Sequence, residues 1–153
     1  MHMNMKKIFK IILIVIIVAL LVSFLSFKNK DKQTNAHDAM KHEMIQVDKN
    51  IPEPTISVEA IKDAKDGYNL HIVTTNYKWT PEKVNTSPIQ GEGHAHIYVN
   101  GVKLARLYGE WFNISASELK EGANEITVTL NANDHSEWTL GEEHLSDTVI
   151  VTK

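Results

Sequence analysis

A chain of 153 residues without cysteine excludes a disulfide framework, a thiolate metal site and a thiol nucleophile, so any metal must be held by His, Met, Asp or Glu. Five of the sixteen basic residues and none of the nineteen acidic ones fall in the first thirty positions, leaving eleven against nineteen and a formal charge of −8 over the remainder. That balance argues against nucleic acid and anionic lipid as partners, both of which select basic surfaces, and leaves cations open.

In chain order, residues 1–7 are short and basic and precede an almost unbroken apolar run, Ile8 to Phe27. As a helix this run spans roughly 30 Å, the thickness of a bilayer core, so it predicts a transmembrane anchor or signal segment with residues 1–7 in the cytoplasm. Lysines flank it on both sides, so the basic residues alone do not set its orientation. No cysteine follows the run, which rules out lipid attachment there, and an uncleaved anchor is favoured over cleavage near Thr34-Asn35-Ala36. The expected product is a membrane-anchored protein with its domain outside the cytoplasm, secreted if the segment is cut.

Residues 28–54 are polar and charged, with apolar residues too scattered to form a face, and predict a flexible stalk. A folded domain is expected over 55–153. Ile56, Val58 and Ala60 alternate with polar residues, Leu70 to Thr74 is β-rich, and Ile126, Val128 and Leu130 alternate with Thr127, Thr129 and Asn131. Asn100-Gly101 suits a two-residue hairpin turn, whose central positions both need φ > 0, and joins strands His94–Val99 and Val102–Leu107. With a last strand over Asp147–Thr152, the pattern predicts an all-β fold: an antiparallel immunoglobulin-like or cupredoxin-like sandwich of about seven strands.

The chemistry concentrates in Gly93-His94-Ala95-His96-Ile97-Tyr98-Val99. Strand alternation puts His94, His96 and Tyr98 on one face and Ala95, Ile97 and Val99 on the other, so the apolar set takes the core and the histidines face outward. Imidazoles at i and i+2 start roughly 6–7 Å apart by strand rise, within reach of one first-row metal ion. The turn pairs Tyr98 with Lys103 and His96 with Ala105, with a bulge or strand end expected beyond Ala105.

His135, after the strand of Ile126–Leu130, can complete a three-imidazole site with His94 and His96, and Asp134 would orient His135. Three imidazoles with an open fourth position suit copper or zinc, and affinity should fall below about pH 6–6.5 as the rings protonate. The stalk adds weaker ligand candidates, His37, Met40, His42 and Met44, whose thioethers favour copper, particularly Cu(I), over zinc. The absence of cysteine removes a blue-copper centre.

The stretch from Gly93 to Gly101, with Asn133-Asp134-His135, resembles a motif of poorly characterised bacterial exported β-sandwich proteins, a G-H-x-H hairpin followed by a later D-H pair. The resemblance covers Gly91 to Glu137 and implies the fold and a shared polar patch at His94, His96 and His135, without a settled activity. Two readings follow. One is an anchored metal-binding protein, a copper chaperone, buffer or sensor, with the metal ion and an extracytoplasmic protein as partners. The other is a metal-free protein- or glycan-interaction module on the cell surface. A metal-dependent hydrolase finds no support in a serine–histidine–acid order or a Gly-rich phosphate loop, so no catalytic residue is assigned.

Overall fold

A computed structural model describes residues 43–153, which form a two-sheet all-β fold. The anchor predicted over 8–27 and the stalk candidates His37, Met40 and His42 lie outside the described residues. Among the described residues no helix is long and apolar enough to cross a membrane.

Eleven strands alternate with turns: β1 (Met44–Gln46), β2 (Thr55–Lys62), β3 (Tyr68–Thr75), β4 (Lys78–Trp79), β5 (Glu92–Val99), β6 (Val102–Leu107), β7 (Trp111–Ile114), β8 (Ala123–Asn131), β9 (Glu137–Leu140), β10 (Glu143–His144) and β11 (Ser146–Thr152). The antiparallel pair β5–β8 is the spine of the larger sheet. One edge of β5 carries β4 and then β6; the far edge of β8 carries β11 along most of its length and β9 at Asn131. The smaller sheet has the order β2–β3–β7.

The core follows from the alternation. Ala95, Ile97 and Val99 of β5 are in register with Leu130, Val128 and Ile126 of β8, and these buried residues join Leu70, Ile72 and Ile114 of the smaller sheet in one cluster. Each buried aliphatic side chain contributes about 1.5–3 kcal/mol, enough to fix the register of β5, because a one-residue slip would bring His94 and His96 into this cluster.

Two expectations are corrected. The folded region begins about ten residues before Thr55: β1 lies within the segment read as stalk, Val47 is buried, and β1 runs parallel to β9 with Ile45 opposite Trp138. The sequence hid this strand because it is three residues long and contributes few apolar side chains. The sheet is also not purely antiparallel, since β1–β9 and β4–β5 are parallel pairs.

Candidate metal centre

β5 carries His94 and His96 on the face opposite the core, as alternation requires, yet neither reaches solvent: they are 1% and 0% exposed. On that face the Lys103 side chain from β6, the Tyr108 ring and His135 from the turn between β8 and β9 lie against the two rings. The β5–β6 register shifts between Ile97 and Tyr98, so His96 lies opposite Arg106 rather than Ala105, while Tyr98 keeps Lys103 as its partner. The irregularity thus comes earlier than expected. Leu104 is the extra residue, and it brings Arg106 to the histidine face beside Lys103, where the small side chain of Ala105 had been expected.

The third histidine arrives through the turn. Ala132 N–H donates to Ser136 O (2.7 Å), His135 N–H donates to Ala132 O (3.0 Å), and Asn131 Nδ2 donates to His135 O (3.2 Å). These bonds hold His135 at φ +75°, a left-handed conformation that non-glycine residues adopt only where the surroundings impose it. Because β8 pairs His94 with Asn131, a turn leaving β8 at Asn131 returns directly over His94.

The result is a convergence of imidazole nitrogens. His94 Nε2 lies 3.0 Å from His96 Nε2 and 2.9 Å from His135 Nδ1, and the ligand atoms of the three rings lie within 4.8 Å of one another. Lys103 Nζ lies 3.0 Å from His96 Nε2. The opposite ring nitrogen of His135, Nε2, lies 2.8 Å from Asn85 Oδ1. An amide oxygen only accepts, so His135 Nε2 carries the proton and Nδ1 of the neutral ring presents a lone pair to the centre. Lys103 only donates, so His96 Nε2 also presents a lone pair. A proton on His94 Nε2 must then serve two acceptors at once. A metal ion at about 2.0–2.1 Å from each nitrogen would serve all three, with nitrogens about 3.3 Å apart in a tetrahedral set; His94 Nε2 lies 3.0 and 2.9 Å from the other two, and the whole set within 4.8 Å.

Asp134 and Asn85 both lie at this turn. The Asp134 carboxylate accepts from Ser136 N–H (3.0 Å) and shapes the turn, and Asn85 Oδ1 orients the His135 ring through Nε2. Asn85 is itself placed by buried Asn133, whose carbonyl accepts from Asn85 N–H (2.7 Å) and whose Oδ1 accepts from Thr80 (2.9 Å). Met44, the one stalk candidate among the described residues, is largely exposed on β1 in register with Glu137. Because an outer partner of a ligating histidine typically sets 10–100-fold in metal affinity, Asn85→Ala is expected to weaken binding by about that factor while leaving the fold intact. Paired calorimetric and circular dichroism measurements check it.

The surroundings carry further polar groups. Glu137, in register with Asn131, lies 2.7 Å from His144 Nδ1, so His144 is tied to a carboxylate rather than simply solvated. Burial, reinforced by the Glu137 charge, pushes the Tyr98 hydroxyl up to about 12. Burial, and then the nearby Arg106 charge, lowers Lys103 from its ordinary value. The Tyr108 ring sits 5.8 Å from that of His94. Of these, Lys103 was legible from the Asn100-Gly101 turn, which sets it opposite Tyr98; Asn85 and Glu137 lie in segments without a periodic signal.

Fold and site together define an all-β sandwich with a three-histidine cluster, two of its rings buried and the third half-buried, able to hold a metal ion. No protein-family model, curated protein or solved structure gives a significant match to the chain.

Proposed function

We propose that this is an extracytoplasmic metal-binding protein, held at a membrane by residues 8–27, whose His94–His96–His135 centre takes copper as a chaperone, buffer or sensor. The observation that carries the reading is the convergence of three imidazole nitrogens about a single point, two of them with lone pairs fixed by their neighbours. The support for copper over zinc is the thioether–imidazole run of His37, Met40, His42 and Met44. The likeness to exported β-sandwich proteins with a G-H-x-H hairpin, and the placement among immunoglobulin-like and cupredoxin-like folds, belong to the same proposal.

The test is calorimetric titration of the full-length protein in detergent with Cu(I), Cu(II) and Zn(II). One equivalent should bind, copper more tightly than zinc. Failure of all three ions to bind would refute the proposal.

A second reading, a metal-free surface for a protein or glycan, is favoured by Trp111, which is 55% exposed on edge strand β7 and stacks on His71 with ring centroids 4.2 Å apart. Retention of ligand binding by chelator-treated protein, and its loss in Trp111→Ala, would support that reading.

A further inference from the structure

We infer that Lys103 marks an anion subsite on the metal centre: with an ion seated on His94, His96 and His135, the Lys103 ammonium leaves His96 and pairs with a small anion bound at the ion's open position. The inference rests on the metal reading of these three histidines and names the class of exogenous ligand they would admit.

Lys103 Nζ lies 3.0 Å from His96 Nε2, and a neutral imidazole nitrogen has one in-plane lone pair, so the ammonium and a metal ion cannot share it. An ion about 2.0–2.1 Å from His96 Nε2 would lie no farther than about 5 Å from Lys103 Nζ, and would repel it. Lys103 is half-buried on β6 beneath Tyr98, its cross-strand neighbour, and cannot simply be ignored as a solvated charge.

The charges facing this point are lopsided. Three neutral rings leave a dipositive ion uncompensated. Lys103 and Arg106 add two cations from β6, Arg106 lying opposite His96. Glu137 lies near enough for its charge to act on Lys103, and one of its oxygens, Oε2, lies 2.7 Å from His144 Nδ1. Three protein ligands leave a tetrahedral ion one position short. An anion in that position would neutralise the ion and give the displaced ammonium an acceptor, whereas a neutral ligand would do neither.

The test uses full-length protein in detergent carrying one equivalent of Cu(II), titrated with azide and followed by the azide-to-copper charge-transfer band. Wild type should bind azide saturably. Lys103→Met should hold copper at least as tightly as wild type, because its competitor for His96 is gone, and bind azide about two- to fivefold more weakly, the range for one partly exposed charge pair. Lys103→Arg, which keeps the charge, should recover most of the azide affinity.

Equal azide affinity in wild type and Lys103→Met would overturn the inference while leaving the metal reading intact, as would wild-type protein that holds copper yet binds no azide. Absence of copper binding, read independently from the metal content, would overturn the metal reading and this inference with it.

Discussion

Replacing His94 and His96 together with alanine is expected to lower metal affinity by a thousandfold or more. The estimate follows from scale: altering a residue that merely orients a ligand costs about 10–100-fold, and this variant removes two of three ligands outright. It also yields a sign that a nonspecific surface site would not give. At free metal about a hundred times the dissociation constant, binding adds about 2.7 kcal/mol to wild-type stability, which raises the melting temperature of a domain this size on the order of 10 °C. The double variant should show no such increment at the same metal concentration. Its own metal-free stability should also fall, since both rings are fully buried and alanine leaves their volume unfilled. Melting curves with and without metal separate the two effects, and an equal metal increment in both proteins would contradict the assignment.

The second large effect is expected at Gly93, one residue before the first histidine. Gly93 has φ +153°, and a Cβ there would meet Asn131 O at 1.9 Å and the Tyr77 hydroxyl at 2.8 Å. The Tyr77 hydroxyl lies 2.7 Å from His94 O and 2.9 Å from Asn131 O, donating where β5 and β8 meet. A methyl group at Gly93 therefore wedges these strands apart at the point from which His94 projects and the turn to His135 departs. Gly93→Ala is expected to cost more than about 3 kcal/mol and to misplace His94 relative to His135. Gly109→Ala is the control: nothing lies within 4 Å of its Cβ position, so it should be close to neutral. Urea denaturation of the two variants checks this, and similar midpoints for both would show that Gly93 has no such role.

The histidine strand was legible because its two faces differ in kind. Ala95, Ile97 and Val99 had to go to the core, and that alone placed His94 and His96 side by side on the other face. The roof over that face was not legible. Alternation assigns a side, whereas the side chains that cover His94 and His96 come from Lys103, from Tyr108 and from the Asn131–Ser136 turn that carries His135. The third ligand was a matter of topology: His135 reaches His94 because β8 pairs with β5 in the register His94–Asn131, which no local pattern encodes. Asn85 was hidden for the same reason, as its place beside His135 comes from a bond to buried Asn133 across the fold. Strands β1, β9 and β10, of two to four residues each, were too short to show a period.

One ion held jointly by His94, His96 and His135 would carry all three imidazoles in its inner shell. X-ray absorption on the full-length protein carrying one equivalent of copper measures this most directly, with His135→Ala alongside. Three imidazole nitrogens at about 2 Å in the wild type and two in His135→Ala are the predicted result. The same imidazole count in both proteins would place the ion elsewhere and contradict the account.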